Sequence, residues 1–453
     1  MKSKKTPLPY KASALLLLLT VCSVAIAQPV LDAYVREGLQ NNIVVQQKAI
    51  AYEQAERSLQ IATSYFLPSV SLLADYTSGE GGRSIAIPVG DMLNPVYASL
   101  NQLTQSDAFR QIDNVQQNFF PRNFYDGRIR TSIPLLNTDL YANRAIQREQ
   151  IAIRNNELLA YKRQLVMEIK AGYYQYLGAT AAVQILESAL GLVERNVEVN
   201  ASLLRNGRAL PANYQRSKSE LERVRAELNS AQNRATNAKK YFNFLLNRDL
   251  QSEVEVEAPG GSQASEIPIA GVREELQALR SLQAVNETSL RMSKQVFIPK
   301  VNGFLDLGSQ ASDWKWNTNS MYYLVGVQLS MPIFQGSRNV MTIRNNASEL
   351  RKTELELANT SQRLELSAQV AEADLATARA NSAAAEEQSK SAESYFNLVE
   401  KGYLQGVNTL IEFLDARNQL TASALQKNLK RYEVLIAAAR VERESATYPL
   451  VTE

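Results

Sequence analysis

Four segments alternate apolar and polar residues with the two-residue period of a β-strand. Tyr323, Val325, Val327, Leu329 and Met331 oppose Leu324, Gly326, Gln328 and Ser330. Tyr125, Gly127, Ile129, Thr131 and Ile133 oppose Asp126, Arg128, Arg130 and Ser132. Weaker alternation sets Val70, Leu72, Ala74 and Tyr76 against Ser71, Leu73 and Asp75, and Val301, Gly303, Leu305 and Leu307 against Asn302, Phe304 and Asp306. The spacing predicts strands over Ser69–Tyr76, Phe124–Leu135, Lys300–Leu307 and Met321–Phe334. Helices are predicted over Leu31–Ser64 and Val272–Val296, stopped by Leu67-Pro68 and Ile298-Pro299, because the residue before proline avoids the helical region. The stretch from Arg338 to about Leu404 reads as one helix of roughly 65 residues, on the order of 100 Å at 1.5 Å per residue. Shorter helices are predicted over Ala212–Leu246 and Thr409–Glu442, each after a helix-to-helix turn.

The order helix, strand, loop, strand, long helix, turn, helix occurs twice. It predicts a first repeat over 28–249, a linker or equatorial segment over 250–270, a second repeat over 271–442 and a tail over 443–453. Ser132-Ile133-Pro134-Leu135 and Ser330-Met331-Pro332-Ile333 close the returning strands in both copies. Asn206-Gly207, Pro211, Asn213 and Glu220 line up with Lys401-Gly402, Gly406, Asn408 and Asp415 at a constant offset of 195 residues. Gly207, Pro211, Gly402 and Gly406 are accordingly the predicted helix-turn tips. The linker around Pro259-Gly260-Gly261-Ser262 is predicted to lie against the helices with one short strand. The asymmetry is Thr77–Asn123, predicted to sit on an exposed tip with a short helix over Met92–Leu103.

Alternation alone leaves two readings of the strands open. One is a four-stranded sheet with a wet face in a soluble domain. The other is a membrane-crossing barrel with apolar residues toward lipid. Four strands are too few to enclose a lumen, since interior width grows with strand number. If the sheet crosses a membrane, several copies must share the barrel.

Composition narrows the address. Lys2, Lys4, Lys5 and Lys11, the apolar run Ala12–Ile26 and the small-x-small Ala25-Ile26-Ala27 predict a signal peptide over 1–27, cleaved before Gln28. The sole cysteine, Cys22, lies within it; lipidation there is the alternative, weakened by branched Val21. The chain carries 49 basic and 46 acidic side chains. Without the four leader lysines the balance is 45 to 46, so bulk charge points to neither nucleic acid nor an anionic surface. No 20-residue apolar stretch follows the leader, which argues against a helical membrane protein and leaves a closed β-barrel as the means of crossing. Histidine is absent. With no phosphate-binding glycine loop and no metal-like carboxylate spacing, no enzyme, cofactor or metal site is predicted.

The segment Gly402-Tyr403-x-x-Gly406-x-Asn408-Thr409-Leu410-Ile411-Glu412-x-Leu414-Asp415-Ala416, the joins at Pro134 and Pro332, the Leu67-Pro68 start and the doubled organisation together resemble the TolC family of outer-membrane efflux proteins. The resemblance spans essentially the whole mature chain. It implies a mixed α and β fold. Three chains give four strands each to one trimeric 12-stranded transmembrane β-barrel, continued by a long periplasmic α-helical barrel. It implies a passive gated exit duct in the outer membrane of a Gram-negative bacterium, extending into the periplasm. The implied partners are a periplasmic adaptor, an inner-membrane pump and outer-membrane lipid. The implied cargo is small molecules such as drugs, toxic compounds or metal ions. Glu412 and Asp415 fall at the family's acidic entrance positions and Tyr403 at its restraining tyrosine. Asn408 stands where some members have arginine, a departure from a charged latch. Each has an ordinary reading as well: helix-start acids in solvent for Glu412 and Asp415, turn packing for Tyr403. A protein-secretion component and a secreted coiled-coil scaffold or adhesin remain the alternative functions.

Overall fold

The computed structural model describes residues 29–120, 122–257 and 273–450; the signal-peptide prediction with Cys22, most of the linker and the last three residues lie outside them. In chain order the elements are α1 (Pro29–Asn41), α2 (Ile43–Ser64), β1 (Ser69–Thr77), β2 (Ser84–Ile87), α3 (Val89–Thr104), β3 (Val115–Asn118), β4 (Phe124–Leu136), α4 (Thr138–Arg205), α5 (Pro211–Leu245), α6 (Glu274–Lys294), β5 (Lys300–Ser312), β6 (Met321–Ser330), α7 (Arg338–Leu404) and α8 (Leu410–Glu444). They divide into two units. One comprises the described parts of Met1–Glu53, Ala152–Ser281 and Glu354–Glu453; the other comprises Gln54–Ile151 and Leu282–Thr353.

The first unit is helical. Its largest core joins Tyr34 and Val35 of α1, Leu165, Ile169 and Tyr173 of α4 and Phe242 and Leu245 of α5. Tyr34 meets Phe242 edge-on at 5.2 Å. The two tyrosine hydroxyls also accept backbone hydrogen bonds from the chain leaving α5, Tyr34 from Glu255 N at 2.8 Å and Tyr173 from Glu257 N at 3.0 Å. The described start of the linker is thus held as an extended strap with no strand pairing. Arg163 joins Glu274 (2.7 Å) to the Tyr448 carbonyl (2.7 Å), and Arg273 joins Glu275 to Glu444, so α4, the start of α6 and the chain after α8 are tied by charge. Beyond this core the helices meet in thin seams: Ala189, Val193, Leu221 and Val224 between α4 and α5, and Ala371, Leu375 and Val441 between α7 and α8. Within α4 one window of 18 residues is apolar enough by length and composition to pass as a membrane span, and 28% of it is buried.

The predicted first helix is two helices. Asn42 interrupts it: its Oδ1 accepts from Val44 N (2.9 Å) and Val45 N (3.3 Å), as an N-cap does, while its Nδ2 donates to the Leu245 carbonyl at 3.0 Å. Polar capping of the new helix outcompetes continuation of the old one. Asn42→Ala is expected to cost about 1–2 kcal/mol in urea unfolding. Asn42→Asp, which keeps the acceptor, should cost less.

The second unit holds an antiparallel sheet in the order β1-β4-β5-β6. Register places Leu72, Ile129, Leu307 and Tyr323 side by side across all four strands. The two proline exits differ. Pro134 lies within β4, where a bulge separates it from Leu136, whereas β6 stops at Ser330 before Met331-Pro332. A residue without an N–H fits a bulge or a strand end equally well, so the shared tetrapeptide has two solutions. The insertion between β1 and β4 contains α3 and a two-stranded sheet of β2 and β3 that alternation did not reveal. Asn94 and Asn101 of α3 each bond both backbone groups of a returning residue, Ile112 and Phe109 respectively, so amide side chains replace strand pairing there.

Candidate functional site

In the sheet unit, every charged residue of the four large strands (Asp75, Asp126, Arg128, Arg130, Lys300 and Asp306) occupies a position of one face. The other face is uncharged and open to solvent in the single chain: Leu72 is 76% exposed, Leu307 53% and Val325 69%. Five of these charges are paired with one another, and Lys300 pairs with Asp139 at the start of α4. Arg130 holds Asp306 with two bonds, Nε–Oδ1 at 2.7 Å and Nη2–Oδ2 at 2.6 Å, and its guanidinium lies 5.2 Å from the Phe304 ring centre. Arg128 pairs with Asp126 and reaches Asp75 at 3.4 Å, while the Tyr322 hydroxyl donates to Asp126 at 2.8 Å. Side chains from all four strands therefore meet in one polar lattice on one face. β1 pairs only with β4 and β6 only with β5, so each end of the sheet presents an unpaired backbone edge among the described residues.

In the helical unit, both long helices end in the same device. Gly207 (φ +67°) and Gly406 (φ +77°) take the left-handed conformation after α4 and α7. Gly207 N bonds Leu204 O and Arg208 N bonds Leu203 O; Gly406 N bonds Tyr403 O and Val407 N bonds Gly402 O. These are paired Schellman bonds, which only a residue tolerant of positive φ completes without strain. The matched positions are Gly207 with Gly406 and Pro211 with Leu410, both 199 residues apart. The offset of 195 is therefore corrected: it aligned the turn glycine of one copy with Gly402, which lies inside α7. Gly402 has a different task, since a Cβ there would collide with Asn408 Oδ1. Pro211 opens α5 as its first residue, where a missing N–H costs nothing.

Glu412 closes a capping box at the start of α8. Its Oε2 accepts from Thr409 N (2.7 Å), Thr409 Oγ1 (3.1 Å) and Asn408 Nδ2 (3.4 Å), and its own N–H reaches Thr409 Oγ1. The Thr409 amide first, then its hydroxyl and the Asn408 amide, hold this carboxyl below the usual range. Asp415, one turn on, is exposed and makes no hydrogen bond or ion pair among the described residues. Tyr403 stacks on Phe413 at 4.8 Å and accepts a 3.4 Å bond from Asn200 Nδ2, which links α7 to α4.

Two features near these turns escaped the sequence reading. Asn196, Asn200 and Ser217 form a buried polar chain in which Ser217 Oγ donates to Asn196 Oδ1 at 2.9 Å. Arg417 is 1% exposed and pairs with Glu220 of α5, whose carboxylate also binds Arg223; Arg223 in turn reaches Asn418 at 2.6 Å. Burial pushes the Glu220 carboxyl up, but the Arg223 hydrogen bond and the charges of Arg417 and Arg223 outweigh it, and the net shift is down. A signal existed for Arg417. It falls seven residues after Leu410 and three after Leu414, on the apolar side of α8, where a charge requires a partner. Nothing local named Glu220 as that partner. Among the described residues, no cluster of three or more His, Cys, Asp or Glu side chains is placed to hold a metal.

Comparison with known proteins places this geometry. Residues 271–444 match the family model described as outer membrane efflux protein. The fold is similar to that of a membrane protein from Pseudomonas aeruginosa, with a TM-score of 0.74 at 18% identity over 92% of this chain and 93% of that one. It is similar to the CmeC outer membrane channel of Campylobacter jejuni, with a TM-score of 0.75 at 15% identity over 92% and 85%. It is also similar to the outer membrane protein VceC of Vibrio cholerae, with a TM-score of 0.74 at 14% identity over 92% and 95%. No curated protein matches the chain.

Proposed function

We propose that this chain, whose residues 271–444 match the outer membrane efflux protein family model, is one third of a passive, gated duct across the outer membrane and periplasm. The observation that carries the reading is the sheet: one face exposed and uncharged, the other charged, and an unpaired edge at each end. In lipid an unpaired edge is too costly, so the edges must meet those of other copies. Eight strands give an interior that side chains fill, so three copies, with twelve strands, are the fewest that leave a water passage. The polar lattice of Arg128, Arg130, Asp126 and Asp306 then lines the lumen, and Leu72, Ile129, Leu307 and Tyr323 face lipid. The helices carry the tunnel through the periplasm. The exposed Leu355, Leu366 and Leu398 of α7 and its alanine-rich stretch supply lateral seams for neighbouring copies.

The turns at Gly207 and Gly406 form the periplasmic entrance, where a periplasmic adaptor docks and an inner-membrane pump delivers its cargo of drugs, toxic compounds or metal ions. Tyr403 restrains the closed state through Asn200. Glu412 and Asp415, three residues apart, present carboxylates from each copy toward the axis and favour cations. Two experiments test the reading. Fractionation and sizing in mild detergent should give a trimeric outer-membrane species; a soluble elongated rod would mean a scaffold. In planar bilayers, Glu412→Gln with Asp415→Asn should abolish cation preference and divalent block while leaving the capping box a hydrogen-bonding partner. Unchanged selectivity would remove these residues from the entrance.

A further inference from the structure

At the end of the sheet away from the helices' prolines, four aromatic rings stand in a near-parallel stack on the uncharged face. Tyr76 and Tyr125 are register partners on β1 and β4. The loop between β5 and β6 folds back over them. Trp314 stacks on Tyr76 (5.4 Å, 10°) and on Tyr125 (5.6 Å, 7°), and Trp316 on Tyr125 (4.7 Å, 15°). The loop is held rather than loose. Asp313 N bonds the Asn123 carbonyl (2.9 Å) and its carboxylate accepts from Asn123 Nδ2 (3.1 Å). Tyr125 Oη donates to the Lys315 carbonyl at 3.0 Å, and Ser309 and Ser320 bond at 2.8 Å beneath. Asp313 and Trp314 both take positive φ, +57° and +56°. For a residue as bulky as tryptophan that conformation is costly, and the stack and hydrogen bonds hold it in place. The outcome is two indoles fixed in position yet 59% and 66% exposed.

Indole is favoured where an apolar ring body meets lipid and its N–H meets water. We propose that the loop Asp313–Ser320 is an interfacial anchor that seats Trp314 and Trp316 at the headgroup level of the outer leaflet and so fixes the depth of the barrel. Three observations select lipid as the occupant. The stack is continuous with the uncharged band of Leu72, Ile129, Leu307 and Tyr323. Lys315, exposed between the two tryptophans, complements anionic headgroups. A second aromatic group closes the other end of the band, where Phe66 meets Tyr141 edge-on at 4.9 Å and Phe297 and Phe334 are exposed. From Tyr125 to Leu136 the strand rises roughly 36 Å, or roughly 28 Å along the membrane normal at a tilt of about 40°, close to the height of an outer-membrane apolar band.

The proposal rests on the membrane-crossing reading of the sheet, and its test separates the two. Trp314 and Trp316 are the chain's only tryptophans, so native fluorescence reports this loop alone. The purified protein is reconstituted into phospholipid nanodiscs whose acyl chains are brominated either near the headgroup or near the methyl end. Bromine near the headgroup should quench native fluorescence about twofold, and bromine near the methyl end far less. A companion variant, Trp314→Phe/Trp316→Phe/Leu307→Trp, places the reporter in the middle of the band, and there the order should reverse. If the companion is quenched and the native protein by neither lipid, the anchor is wrong and the crossing sheet stands. If neither protein is quenched, the membrane reading falls and the anchor with it.

Discussion

Leu307→Lys should cost about 2–4 kcal/mol per chain when the protein unfolds from a bilayer, the penalty for an ammonium near the middle of a barrel's lipid face. The cost repeats in every copy, so assembly should fail before the fold of the single chain does. The physical reason is position. Leu307 is the register partner of Ile129 and Tyr323, and the face they share carries no charge. Leu324→Lys is the control. Leu324 follows Tyr323 in the same strand but lies opposite Asp306 on the charged face, where a lysine remains in water. Its cost should be below about 1 kcal/mol. Urea unfolding from vesicles, or the yield of heat-resistant oligomer, reads both. Equal penalties would mean that neither face meets lipid and would return the sheet to a soluble domain.

Glu220→Ala should destabilise the helical unit by about 3–5 kcal/mol, because it leaves Arg417 buried without its counter-charge. Adding Arg417→Met should recover most of the loss, since an apolar side chain of similar length suits that position better than an orphaned guanidinium. Thermal unfolding of the single and double variants measures this, and a double variant no better than the single would assign the loss to Arg223 instead. The pair also predicts an acid dependence. The Glu220 carboxyl is held below its ordinary value, so its contribution is complete above about pH 4.3 and is lost as pH falls through the lower folded value. Conductance links the same variants to the gate, because the pair joins α5 to α8 close to the two turns. On the proposed duct reading, the double variant, freed of the pair, should open more often although most of its stability is restored.

Much of the architecture was legible in the chain. Period-two alternation located the four large strands, and α7 runs from Arg338 to Leu404 as its pattern predicted. Such features depend on neighbours a few residues apart. The departures share one cause. Asn42 breaks a continuous helical pattern because a carbonyl from Leu245, 203 positions away, accepts its amide. The turns match at 199 residues, since the glycine that completes the Schellman bonds is Gly406, and local spelling favoured Gly402.

The sequence by itself determined that the chain alternates long helices with paired strands, that one strand face excludes charge, and that acidic and aromatic residues gather after Gly402. Those properties are written in periods of two and 3.6 residues. Only the tertiary structure decided how charges separated along the chain become partners: Arg130 with Asp306, and Arg417 with Glu220. It alone spent Glu412 on a helix cap and left Asp415 in solvent, and it alone folded Trp314 and Trp316 back over the apolar face. A pairing across nearly 200 residues depends on the path of the backbone between them, and no local period records that path.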